Sequence, residues 1–372
     1  MSAPQTVVID DGVIAQIGAV DSHESSAVQV DGTGKFLVPG LIDSHVHIST
    51  PMALDALASY GVTTAVNLAC YNYTFCSALM SLEGTADMIT ASRPAIGTDS
   101  AHARLPLGDN PPGSTLSPGD NTSAWVETWA FPPESSASFL KVTAEPDGPN
   151  QELLNGVVAA THAKGYYAVM HASYLSAYEQ AIVARPEGIQ HIPADGIMPT
   201  RIARQIAAQD QFVTPTMAIF RVGANSQLLR QLLGQNYTWP VMQANLHALI
   251  AAGVTILAGT DSADLRAANV TMPYGFNLHC ELEFLVEAGM RPIDALRAAT
   301  ALPAKLQNMY DRGVVHVGKR ADLVLLNANP LVNISNTRDI ARVWVAGVAY
   351  ADVSHDVKQR CSQLNLIARD FW

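Results

Sequence analysis

His45 and His47 stand two apart at the end of an apolar run, Leu41–His47. In a strand that spacing puts both imidazoles on one side. Four more residues repeat the theme: Lys141 inside Phe139–Thr143, His171 closing Tyr167–His171, His191 within Gly188–Ile192, and Asp261 closing Thr255–Asp261. Neutral imidazole and carboxylate are the ligands that zinc and related divalent ions take. A lone histidine in a strand is ordinarily a hydrogen-bonded core residue. Six such groups near the carboxyl ends of five strands form a pattern that a shared metal site explains.

Lys141 is the sharpest single clue. The chain has 6 lysines, and this one is embedded between Leu140 and Val142. Burial disfavours an ammonium and pushes its pKa down. A neutral amine can add carbon dioxide to give a carbamate, an anion able to bridge two metals. The plainer reading is a lysine that reaches water or pairs with a buried acid.

These groups need strands to hold them. Eight candidates run in order: Leu41–His47, Thr64–Leu68, Arg93–Gly97, Phe139–Thr143, Tyr167–His171, Gly188–Ile192, Phe212–Thr216 and Thr255–Asp261. Helical patterns such as Gln151–Lys164 lie between them. Alternation of this kind reads as an α/β fold, a closed (β/α)8 barrel of TIM type whose strand carboxyl ends carry the chemistry. Short β signals flank it. Val7–Ile9 and Val13–Ile17 surround Asp10-Asp11-Gly12, which is hairpin chemistry, and Phe36–Val38 follows. Further signals return at Val314-Val315, Ala321–Leu326 and Val343–Val348. The expected division is therefore a barrel at 40–312 and a small β-sandwich domain from 1–39 and 313–350. The tail, 351–372, is expected to be helical. The loop Thr98–Ser123 would lie over the barrel mouth. His102 and Arg104 in it, Arg221 after the seventh strand and His279 after the eighth are candidates for holding substrate, arginine by its paired donors.

Composition narrows the function. Hydrophobic residues make up 48% of the 372, enough for a large core, and 33 acidic against 22 basic side chains give a formal charge of −11. Such a chain lacks the positive field that nucleic acid or an anionic membrane requires. The uncharged stretch Ala56–Leu82 contains Gly61, Asn67 and Asn72, and reads as a buried strand with flanking helices rather than a membrane span. Cys70, Cys76, Cys280 and Cys361 show no CxxC spacing, so neither a zinc knuckle nor a disulfide framework is signalled. No basic region followed by an apolar stretch opens the chain, which favours a cytoplasmic protein. Sequons at Asn72, Asn121, Asn236, Asn269 and Asn333 pull toward a secreted one.

The segment Val38-Pro39-Gly40-Leu41-Ile42-Asp43-Ser44-His45-Val46-His47 resembles the opening signature of the amidohydrolase superfamily. Gly61-Val62-Thr63-Thr64, Gly188-Ile189-Gln190-His191, Gly259-Thr260-Asp261, Ala295–Thr300 and Gly318–Val324 extend the resemblance over nearly the whole chain. Lys141 matches the branch with a carboxylated lysine on strand four, which includes Xaa-Pro dipeptidase-like enzymes and ochratoxin-type amidases. The resemblance implies two divalent ions, zinc in the first instance. His45, His47 and Asp261 would hold one, His171 and His191 the other, with carboxylated Lys141 between them. It implies hydrolysis of a small amide or peptide-like C–N bond by a hydroxide bridging the ions, with Asp261 as general base. Self-association into a homo-oligomer is a further expectation. Relative to the family pattern the chain enters the small β domain late, and it reaches Gly61-Val62-Thr63-Thr64 soon after His47.

Two other readings compete. One is a mononuclear deaminase or cyclic-amide or lactone hydrolase on the same barrel. Lys141 opposes it, as does the absence of a glutamate close after His171, the next being Glu179. The other is a non-catalytic scaffold, which the full ligand set opposes.

Overall fold

The chain first turns at Asp11 and Gly12, whose φ values are 45° and 77°. Two consecutive positive φ angles make the hairpin turn whose twist matches that of paired strands. Accordingly β1 (Thr6–Asp10) pairs antiparallel with β2 (Val13–Gly18), and β3 (Phe36–Pro39) follows. The computed structural model describes residues 4–18, 28–104, 108–227, 238–265, 270–354, 360–365 and 367–368.

Parallel strands form the centre. Strands β4 (Leu41–His47), β5 (Val62–Asn67) and β6 (Asp87–Thr90) pair in sequence. A second parallel sheet contains β7 (Phe139–Thr143), β8 (Tyr167–His171), β9 (Gly188–Gln190), β10 (Phe212–Thr214) and β11 (Thr255–Ile256). Backbone hydrogen bonds join the sheet edges. Ser92 N donates to Phe139 O at 2.8 Å and Ala95 N to Lys141 O at 2.9 Å. On the other side, Ser44 N donates to Ala258 O at 2.9 Å. The third strand is Asp87–Thr90, not Arg93–Gly97, where Ala95 and Gly97 make only isolated bridges. Pro94 explains this, because proline has no N–H to give a ladder.

Helices cover the outside. The helix Gln151–Ala163 starts where Asn150 accepts a hydrogen bond from Leu153 N, and it buries Leu153, Leu154, Val157 and Val158. Such a cap contributes roughly 1 kcal/mol. On the opposite strand face Ile42, Val66, Phe139, Val169, Phe212 and Leu257 pack into a separate apolar cluster. Side chains two apart share a face. Lys141 therefore follows Phe139, and His171 follows Val169, on that inner side. On β7 and β8 the apolar floor and the polar centre are successive layers of the same strands.

Beyond Asp261 the chain forms β12 (Ser262–Leu265), parallel to β4, and β13 (Val270–Thr271), antiparallel to β12. The carboxyl-terminal third supplies β14 (Leu323–Leu326), β15 (Ile340–Val345) and β16 (Val348–Ala349), which join β3 in one four-stranded sheet. Ile14 of β2 packs with Ala321 and Leu323, so both chain ends contribute to one small β unit. Val314 and Val315 form no strand, because the chain turns at Gly313 (φ 85°). The tail also departs from expectation. Its described part is a 3-10 turn, Cys361–Gln363, and a strand, β17 (Ile367–Ala368), which pairs with β13 instead of forming a helix. Among the described residues no helix is long and apolar enough to cross a membrane.

The cysteines require a correction. All four are paired, Cys70 with Cys76 and Cys280 with Cys361. The second pair spans 81 positions, a closeness that the fold creates and no local motif announces.

Candidate metal centre

Strand ends deliver the centre. His45 and His47 come from β4, Lys141 from β7, His171 from β8, His191 from the residue after β9, and Asp261 from the turn into β12. Nε2 of His45 and of His47 approach Asp261 Oδ1 at 3.2 and 3.1 Å, and His191 Nδ1 lies 4.0 Å from Asp261 Oδ2. The His45 and His191 rings are 4.8 Å apart, and those of His171 and His191 4.3 Å. Lys141 is 5% exposed and acts electrostatically on His45, His171 and His191. All six strand-end residues thus share one neighbourhood.

Protonation follows from that burial. Desolvation brings His45 down to about 3 and His171 to about 4, and holds His191 well below the usual imidazole range. Desolvation also brings Lys141 down to about 8, against the pull of Asp261 and Glu145. For Asp261 burial alone would raise the pKa, but the surrounding imidazoles outweigh it and keep the carboxyl well below its ordinary value. Neutral imidazoles around an ionised carboxylate are donors waiting for a cation.

One atom tests that statement. His45 Nδ1 lies 2.9 Å from Gln190 Oε1, and an amide oxygen accepts, so Nδ1 carries the hydrogen. Nε2 is then a bare lone pair. It is buried, has no hydrogen-bond partner, and faces Asp261 Oδ1. Two lone pairs at that separation repel unless a cation lies between them. The donor set therefore fits a metal.

The backbone is held hard here. His191, Thr216 and Asp261 adopt φ values of 75°, 50° and 59°. Such conformations cost about 1–3 kcal/mol each and survive where neighbours over-determine them. Asp43 is one of those neighbours. Its Oδ1 accepts from His45 N at 3.2 Å and Thr260 N at 3.0 Å, and its Oδ2 from Thr260 Oγ1 at 2.7 Å. Burial raises its carboxyl to about 7 despite these bonds. Thr216 Oγ1 lies 2.8 Å from His191 Nδ1.

The candidate substrate residues divide. His102 joins the cluster, its ring 4.4 Å from that of His171 and its Nδ1 3.0 Å from Glu145 Oε2. Arg104 turns outward, donating to Asp99 O and facing Asp147. Arg221 donates to Ser362 O and covers the Trp239 ring. His279 is buried between Thr337 Oγ1 and Tyr60 O, both at 2.9 Å. These three are engaged elsewhere. Asp43, Glu145, Gln190 and Thr216 were missed by sequence reasoning, although Gln190 directly precedes His191 and Asp43 lies two before His45.

Residues 132–349 match the family described as the amidohydrolase family, more than half of the chain. The chain belongs to the amidohydrolase family. It is thereby a hydrolase of C–N bonds. Among curated relatives of this amidohydrolase, an imidazolonepropionase of Rhodococcus jostii is 24% identical, with 92% of this chain and 87% of that protein covered. An adenine deaminase of Lactiplantibacillus plantarum is 23% identical over 85% of this chain, which spans only 52% of that protein. Among solved structures, a Xaa-Pro dipeptidase with bound methionine has a TM-score of 0.76 at 20% identity, covering 92% and 94% of the two chains. At that identity the likeness is one of fold.

Proposed function

We propose that this amidohydrolase is a binuclear metal enzyme that cleaves an amide or peptide-like bond in a small molecule. The eight parallel strand segments are read as a closed (β/α)8 barrel over residues 40–312, and 1–39 with 313–350 as its β-sandwich partner. The observation carrying the proposal is the meeting of His45, His47, His171, His191, Asp261 and buried Lys141, with His45 Nε2 bare against a carboxylate oxygen.

In this reading His45, His47 and Asp261 would hold one ion, and His171 and His191 the other. Zinc suits imidazole and carboxylate donors. Lys141, brought within reach of its neutral form by burial, would take up carbon dioxide at Nζ with release of a proton. A carbamate there would supply an anionic ligand beside the four histidines. Bound ions of this kind acidify water and polarise the substrate carbonyl. Asp261, whose side chain is 19% exposed, accepts the proton at a carboxylate oxygen and returns it to the leaving amine. His102 stands beside the centre to contact substrate.

A second reading has specific support. The curated relatives include an imidazolonepropionase and an adenine deaminase, and His45, His191 and Asp261 alone place three donor atoms within 4.8 Å of one another. That trio suits a single ion acting on a cyclic amide or nucleobase.

Metal content separates the two. Full-length protein made with zinc and bicarbonate is analysed beside Lys141→Ala. Two ions per chain, falling to one or none in the variant, are expected. One ion in both proteins selects the mononuclear reading. No metal in folded protein sinks both and favours a scaffold.

A further inference from the structure

Glu145 lies just beyond β7, four positions after Lys141, and its side chain is 8% exposed. Each of its oxygens takes an imidazole. Oε1 lies 2.7 Å from His171 Nε2, and Oε2 lies 3.0 Å from His102 Nδ1. The two rings meet edge to face at 4.4 Å.

An ionised carboxylate can only accept. Both facing nitrogens must therefore carry hydrogen. For neutral His171 this fixes the tautomer: Nε2 is protonated and Nδ1 is the nitrogen left with a lone pair. The His171 ring meets that of His102 at 4.4 Å and that of His191 at 4.3 Å. Gln190 gives His45 a comparable anchor. Glu145 differs in bearing a charge and in holding a second ring, one that comes from the long loop after the third strand.

We propose that Glu145 is a positioning residue, which locks His171 with Nδ1 free for the metal centre and pins His102 against it. The consequence for metal binding rests on the binuclear reading above. Carboxylates behind ligating histidines raise their basicity and fix their orientation, and their loss typically weakens metal binding roughly 10–100-fold.

Glu145→Gln keeps the shape but replaces one acceptor oxygen with an NH2 donor. It can satisfy only one of the two N–H groups, so one imidazole must change tautomer or swing away. Two measurements on the full chain test this. In metal-free wild type, ring nitrogen NMR should show neutral His171 protonated at Nε2. That signature should be lost or mixed in Glu145→Gln. Zinc titration against a competing chelator should then show one of two sites weakened roughly 10–100-fold and the other unchanged. Glu145→Asp, which restores charge without reach, should recover part of the loss.

A wild-type His171 protonated at Nδ1 overturns the proposal. So do zinc affinities in Glu145→Gln equal to wild type. A third zinc ion that vanishes with Glu145 also overturns it, since the carboxylate would then be a ligand. Wild type binding no metal defeats the binuclear reading, while the tautomer measurement still judges Glu145 by itself.

Discussion

Asp261 is the point at which the residues of the centre meet, with three imidazoles within 4.0 Å of its oxygens. Replacing it by Asn keeps the volume and the left-handed turn, which Asn tolerates well. It removes the charge that faces His45 Nε2 and the oxygen that would take a proton. Asp261→Asn should retain much of its metal and lose turnover by roughly 100-fold or more, the usual contribution of general acid–base catalysis. The check is kcat measured beside metal content on one sample; full activity would refute the role. The strand-end histidines were legible because their spacing and position depend only on local pattern. Asp43 and Glu145 were not, because their meaning lies in partners that the fold brings close. Thr260 is 217 positions from Asp43, and His171 is 26 from Glu145. Arg104, Arg221 and His279 show the converse. Their types suited substrate binding, but where each side chain turns is decided by Asp147, Ser362 and Thr337.

At the scale of elements, the centre depends on how tightly β4 meets the chain after β11. Gly259 marks that approach. A Cβ there would lie 2.5 Å from Thr214 Cγ2, 2.8 Å from His45 N and 2.9 Å from His45 Cβ. Two of those atoms belong to a proposed ligand, so the added methyl cannot be absorbed without moving it. Gly259→Ala should destabilise the protein by about 1–3 kcal/mol, the cost of overpacking a tight interior, and should also weaken zinc binding. Gly32→Ala is the control, since its Cβ would meet nothing within 4 Å, and an exposed change of that kind stays within about 0.5 kcal/mol. Urea midpoints of the two variants decide the matter; equal midpoints would mean the strands can part freely. Seven of the eight expected strands overlap parallel strands or, at the eighth, a short strand leading to the Asp261 turn. The exception was the segment with Pro94, where apolar residues outweighed the missing donor in the reading. Hydrophobic spacing made the elements readable; how the sheet edges meet did not follow from it.

Across the whole molecule, the carboxyl-terminal segment is tied down by several devices at once. Cys361 is bonded to Cys280 on the helix Phe276–Glu287, Arg221 and Asn225 donate to carbonyls of Ser362 and Leu364, and β17 extends the β12–β13 hairpin that follows Asp261. On loop-closure arithmetic, a bridge across 81 positions restrains the unfolded chain by about 4.5 kcal/mol, and one across 6 by about 2 kcal/mol. Reduction should therefore lower Tm. Most of the drop should be reproduced by Cys280→Ser with Cys361→Ser, and less by the Cys70 and Cys76 pair. Such bonds persist in oxidising compartments and are rare in the cytosol. They weigh, with the exposed sequon asparagines Asn72, Asn121 and Asn333, against the cytoplasmic expectation. Thiol titration of the denatured, unreduced protein from its own cells is the direct measurement. No free thiol is expected. Four free thiols in fully active protein would return the chain to a reducing compartment and leave the tail held by β17, the Arg221 and Asn225 hydrogen bonds and the burial of Leu364.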